Sequence, residues 1–239
     1  MSFQAFLNDP KSYLNVHRMM ISQGMGANLV PGAMTRAAAV ANTAHGTSIQ
    51  YTHTANVEMI LDPHQMPLGS KSFGAMALGR VGLVDKRLAT YKPDVGGNLP
   101  NLRFLPYSPT DVTFMQLGGA ADFALTGPLQ GCTLSVVSHN GAVWFFHANV
   151  SGAGGVTAAN RATKRQMIRN AGTIVGIAPT ANYFFCEYGA GFQYDGWGFV
   201  WGRIRAGGNW KFYVHYIEPA APGAFLNVAS TDGGKWADL

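Results

Sequence analysis

Apolar and polar positions alternate in short runs over most of the chain beyond residue 49, and Gly or Pro interrupts the runs. A period of two marks half-buried strands, and Gly and Pro are the residues that end them. The pattern predicts strands over 49–61, 75–84, 112–117, 122–125, 133–138, 142–149, 173–177, 183–187, 199–205 and 211–217. Residues 86–110 carry four prolines, Pro93, Pro100, Pro106 and Pro109, and are expected to form a long connection. Before residue 49 the apolar positions are scattered, and 14–23 and 32–44 could each hold a short helix. The clearer helix is 157–170, with Thr157 as N-cap after Gly154-Gly155 and Gly172 as the stop. It carries Arg161, Lys164, Arg165 and Arg169 and no acid. The simpler reading packs it through Ala158, Ala162 and Ile168 with its basic residues in solvent; the other makes it a patch for an acidic protein surface.

No repeat or low-complexity linker divides the chain. The expectation is one α+β domain over 1–239, with 1–49 as an irregular or helical part of it. Two mostly antiparallel β-sheets pack face to face as a β-sandwich core, flanked by a few helices.

Composition narrows the function. Only 12% of the 239 residues are charged, the net charge is +5, and 47% are hydrophobic. Disorder and bulk nucleic-acid binding both need more charge than this. No phosphate loop or nucleotide fingerprint is present, so no nucleic-acid partner is expected. The apolar runs fall short of the roughly 20 residues a spanning helix needs, and the N-terminus lacks a Sec-type signal. Two cysteines, Cys132 and Cys186, make neither a disulfide framework nor a zinc cluster, and His45, His53 and His64 lack metal-ligand spacing. No metal or other cofactor is expected.

The most informative stretch runs from Leu129 to Asn149. Asn140-Gly141 is the strongest short-range hairpin signal, because both central positions of a type I′ turn need positive φ. With that turn, His139 faces Ala142 and Leu134 faces His147. Cys132 and His147 then become diagonal neighbours on one face, about 7–8 Å apart at the backbone. A thiol with a pKa near 8.5 is little ionised at neutral pH, and an imidazole in reach is its usual activator. A one-residue slip would separate the pair onto opposite faces. The competing reading makes Cys132 a small buried hydrophobe and His147 a structural histidine; burial of both with no opening to solvent would defeat the enzyme reading and leave a binding module.

Leu129-Gln130-Gly131-Cys132 resembles the Leu-Ser-Gly-Cys motif of the cytotoxic necrotizing factor deamidase domain and Burkholderia lethal factor, departing from it at Gln130. The resemblance covers Leu125 to Asn149. It implies that Cys132 is the nucleophile and that His147, 15 residues on, is the base. Thr126 is similar to a threonine that frames the site in the lethal-factor branch. The implied reaction is deamidation of a glutamine in a host protein, a Rho-type small GTPase or a translation factor. The implied setting is a toxin or effector, secreted or injected by a bacterium, that acts as a monomer in the host cytosol.

The residues leave several points open. No Asp or Glu occurs from Phe123 to Cys186, so a backbone carbonyl, Thr126 or Asn149 is expected to orient His147, unless Asp111, Asp122, Glu187 or Asp195 arrives through folding. Backbone N–H groups near Gly131 and Cys132 are the candidate oxyanion donors. Cys186, between aromatics, is expected in the core. The aromatic segment 191–201 either fills a strand interface or lines a ligand face. Two other functions stay open: a noncatalytic β-sandwich binding module using that segment, and a cysteine peptidase or transglutaminase using the same thiol.

Overall fold

The computed structural model describes residues 3–10, 13, 18–21, 34–42, 46–53, 57–61, 88–95, 102–118, 121–127, 129, 131–149, 157–189, 192–194, 197–204, 208–218 and 227–239. Helix α1 spans Phe3–Asn8. Strands β1 (Arg18–Ile21), β2 (Met34–Ala41), β3 (Thr47–His53), β4 (Val57–Leu61) and β5 (Leu88–Val95) follow. Next come β6 (Leu102–Leu105), β7 (Val112–Leu117), β8 (Phe123–Thr126), β9 (Thr133–His139) and β10 (Ala142–Ala148). Helix α2 (Ala158–Ile174) leads to β11 (Phe184–Glu187), β12 (Trp197–Ile204), β13 (Trp210–Glu218) and β14 (Asn227–Asp238).

The expected α+β sandwich is what the chain builds. One sheet has the order β11-β9-β10-β7-β3-β2 and the other β14-β13-β12-β8-β6, while β1-β5-β4 form a smaller third sheet. Pairing is mostly antiparallel, with parallel pairs at β3–β7, β6–β8 and β1–β5. The inward faces of the two large sheets meet through Met115, Leu134, Val136 and Phe145 on one side and Ala124, Val200, Phe212 and Val214 on the other. The six-stranded sheet turns Val112, Phe114, Val137 and Phe146 the other way, where Met167, Ile168 and Ala171 of α2 cover them. Alternation along β10 thus sends Phe145 into the seam between sheets and Phe146 under the helix. On the far side, Phe6 of α1 lies edge-on against Phe123, Phe199 and Trp201.

Several expectations change. The segments read as helical, 14–23 and 32–44, contain β1 and β2 instead. Alanine-rich β2 has good helix propensity, but its ladder with β3 overrides that weak preference. β2 is an edge strand, and a register shift between Arg36 and Ala38 leaves Ala37 as an extra residue. The single strand expected over 49–61 is two strands in different sheets. The long connection at 86–110 holds β5 and β6. Pro93 lies in β5 opposite Met59 of β4, beyond Ile21↔Tyr91, the last described pair with β1. β14, polar and Gly-bearing, lacks a clean alternation and pairs with β13 through register shifts. The strand expected over 75–84 lies outside the described residues.

Residues 173–177, expected as a strand, end α2. Thr157 caps its start by accepting from the Asn160 N–H at 3.1 Å. At the other end Gly176, at φ +80°, donates to Thr173 O and Ile177 donates to Gly172 O, a Schellman closure. Gly172 is therefore inside the helix, where the ring of Tyr183 comes down on it. The packed stripe is Lys164, Met167, Ile168 and Ala171, while Ala162 is exposed.

Alanine is normally the better helix residue by about 1 kcal/mol. At position 172, however, a Cβ would meet Tyr183 Oη at 2.0 Å. Gly172→Ala is expected to lower the unfolding free energy by about 1–3 kcal/mol. That Oη is buried without a hydrogen-bond partner, so adding Tyr183→Phe should recover much of the loss. Urea denaturation of both single variants and the double checks this, and additive losses would refute it.

Candidate active site

The site is built on the β9–β10 hairpin, which forms as the turn chemistry requires. Asn140 and Gly141 have φ of +51° and +72°, Ala142 pairs with His139, and His147 pairs with Leu134. Cys132 lies one residue before β9, after Gly131 at φ +79°. It packs with Leu134 and Phe145 in the seam between the sheets. His147, two residues after Phe145 on β10, points into the same seam toward β8, so thiol and imidazole share one face.

Thr126 is the orienting group. His147 Nδ1 lies 2.8 Å from Thr126 Oγ1, a bond that crosses from one large sheet to the other. The Thr126 hydroxyl has one proton, and Leu105 O lies 3.2 Å away as an acceptor for it. With that proton on Leu105 O, Thr126 accepts from His147, which is the Nδ1–H tautomer with a lone pair on Nε2; with the proton on Nδ1 instead, Nε2 carries the hydrogen. Nε2 is buried and has no hydrogen-bond partner among the described residues. Burial, reinforced by the positive charge of Lys164, lowers the His147 pKa from 6.5 to about 3. At neutral pH the ring is an uncharged base with its free nitrogen unoccupied.

Asn149 does not orient the ring. Its Nδ2 donates to Tyr107 Oη at 3.0 Å, and the Tyr107 ring stands 5.6 Å from that of His147. Asp111 accepts from Ser108 and from the Thr47 N–H, and Glu187 pairs with Arg165. Asp122 is exposed, and Asp195 lies outside the described residues.

Three further groups surround the thiol. Lys164 donates from Nζ to Gly131 O, and Tyr194 donates from Oη to Cys132 O at 2.7 Å. Burial raises the pKa of Tyr107, and Cys132 adds to that rise. Cys186 pairs across from Leu134 and lies in the same core as Cys132, and burial pushes its thiol well up. It is the core thiol expected of it.

The solvated basic face expected of α2 is corrected at Lys164, whereas Arg161, Arg165 and Arg169 stay partly exposed. Lys164 is buried, Arg165 pairs with Glu187, Arg161 stands 4.1 Å over the Phe192 ring, and Arg169 lies over Phe185. Of the aromatic segment, Tyr194, Phe199 and Trp201 are buried and fill interfaces, whereas Phe192 is exposed. Lys164 and Tyr194 were not among the residues predicted for the site. Lys164 had a signal: with 167, 168 and 171 it occupies the apolar stripe of a helix, where a lysine is out of place.

Cys132 and His147 are each only 1% exposed, so the conformation described here is closed over the pair. Among the described residues no helix is long and apolar enough to cross a membrane, and no cluster of three His, Cys, Asp or Glu could hold a metal ion. Comparison with known proteins finds no family model that matches the chain and no curated protein significantly similar in sequence.

The lowered pKa makes an acid-stability prediction. The folded value of about 3 lies below the unfolded 6.5, so the unfolded state takes up the proton first. The contribution is fully present above about pH 6.5 and is lost as pH falls toward 3, at about 1.4 kcal/mol per unit. Relative to His147→Gln, the wild type should lose about 3 kcal/mol between pH 7 and pH 4. Denaturant titrations at the two pH values measure it, and parallel losses in both proteins would show that His147 is not the group responsible.

Proposed function

We propose that this chain is a cysteine-dependent hydrolase of a glutamine side-chain carboxamide, with Cys132 as nucleophile, His147 as base and Thr126 as the residue that orients the base. The supporting observation is the hydrogen bond between sheets: a threonine from the opposite sheet holds Nδ1, and Nε2, on the face that Cys132 shares, has no hydrogen-bond partner among the described residues. Leaving a buried polar atom unpaired costs about 1–3 kcal/mol, which cores avoid and functional sites carry.

In this reading Nε2 takes the thiol proton as sulfur attacks the carboxamide carbon. The C–N bond then breaks, the proton goes from His147 to the departing ammonia, and water releases the acyl-enzyme as glutamate. The chemistry needs no cofactor. The resemblance at Leu129–Cys132 supports a host protein as substrate, a small GTPase or a translation factor, and a toxin or effector as the setting.

Burial favours a second reading. With both side chains closed off, Cys132 and His147 serve as structural members of a noncatalytic β-sandwich module, and the hydrolase reading requires the seam to open when substrate docks. Iodoacetamide separates the two. A hydrolase should show alkylation of Cys132 in the folded protein well ahead of Cys186, whereas a module should protect both until it unfolds.

Incubation with host-cell lysate, followed by mass spectrometry for Gln-to-Glu conversion, tests the reaction itself. Cys132→Ser should abolish conversion, His147→Gln should lower it by about 10²–10⁴, and Cys186→Ser should leave it intact. Thr126→Val, which keeps the shape and removes the hydroxyl, should lower it by one to two orders of magnitude. Cleaved rather than deamidated targets would make the chain a peptidase.

A further inference from the structure

Lys164 has no part in the reaction as written, yet it is placed where the chemistry occurs. The side chain is 3% exposed, and its ammonium donates to the carbonyl of Gly131, the peptide group that joins Gly131 to Cys132. Lysine is rarely buried unless it is paired with an anion. The neighbouring carboxylate, Glu187, is held at both oxygens by Nε and Nη2 of Arg165, and Arg161 adds another positive charge. The ammonium therefore sits at the peptide group that leads into Cys132, with a neutral carbonyl as its hydrogen-bond partner.

Resting on the reading of Cys132 as nucleophile, we propose that Lys164 is the positioning residue of the site, its buried ammonium at Gly131 O serving as the counter-ion that makes the Cys132 thiolate accessible. His147 is the proton acceptor and does not supply that charge. In turnover the S–H bond breaks, the proton passes to Nε2 and on to ammonia, and Lys164 keeps its own protons while neutralising the sulfur. The same cation disfavours an imidazolium at His147, which keeps the ring a base until the carboxamide is attacked.

The other groups around the pair do not duplicate this role. Tyr107, Tyr194 and Cys186 are held in their protonated forms by burial. Glu187 is neutralised by Arg165, and Arg161 and Arg165 face Phe192 and Glu187. Burial, with a smaller push from Arg161, lowers the Lys164 pKa, and Cys132 and Glu187 oppose that shift.

The test is a titration of the full chain in a Cys186→Ala background, following the Cys132 Cβ resonance by NMR, which needs no reagent to reach the sulfur. Lys164→Met should raise the thiol midpoint by about one unit or more, Lys164→Arg should restore it, and His147→Gln should shift it less than Lys164→Met does. A shift with Lys164→Met no larger than that with His147→Gln overturns the proposal. Should Lys164→Met not fold, coupling is reciprocal and can be read from the other partner. Replacing Cys132 by Ser should then lower the Lys164 ammonium midpoint, and an unchanged value overturns the proposal equally. Gln-to-Glu conversion without this coupling refutes Lys164 and leaves the hydrolase standing, while coupling without conversion does the reverse.

Discussion

The hydrogen bond between His147 Nδ1 and Thr126 Oγ1 joins the two large sheets at the candidate site. On one side the pairing of β6 with β8 puts Leu105 beside Thr126, its carbonyl 3.2 Å from the hydroxyl. On the other side β10 lies between β7 and β9, with Thr113 and Leu134 as cross-strand partners of His147. The protonation pattern of one imidazole therefore depends on how two sheets stack. Side-chain chemistry that would be adaptable on a loop is fixed by strand register on both sides.

Around that bond the seam is mixed in character. Leu134, Val136 and Phe145 exclude water and Thr126 and His147 place polar groups beside them, while on the α2 side of the same sheet Thr133, Lys164 and Glu187 are buried as well. In such surroundings each interaction is stronger than in water, and each unpaired atom is more costly. Pairing accounts for most of the set, through Arg165 for Glu187, Gly131 for Lys164 and Thr126 for Nδ1. The uncompensated remainder, His147 Nε2 and Thr133 Oγ1, lies on and next to the hairpin residues assigned to the chemistry.

The hairpin was legible in the sequence because two local rules suffice for it: Asn-Gly fixes the turn, and a period of two then assigns every face. Thr126 was legible by resemblance alone, since its partner is on a strand of the other sheet. Lys164 was hidden by its neighbours Arg161, Arg165 and Arg169, which made an interior residue look like one more solvated cation. β2 failed for a different reason. Its alanines carry a helical preference of a few tenths of a kcal/mol each, and only the non-local ladder with β3 decides against it. β5 was masked by its proline, which in a sequence reads as a break in a strand pattern.

The same β2 bears on how copies of this chain meet. It is an open edge whose described side chains are all exposed and include one charge, Arg36, a profile that invites a second strand to add on. The extra residue at Ala37 breaks the spacing of its outward N–H and C=O groups midway. A straight strand can follow the ladder on one side of that residue and is then out of phase on the other. Only a strand with a matching insertion could zip along the full edge, so a local irregularity in backbone counting guards the sheet against open-ended growth where side-chain charge is too sparse to do so.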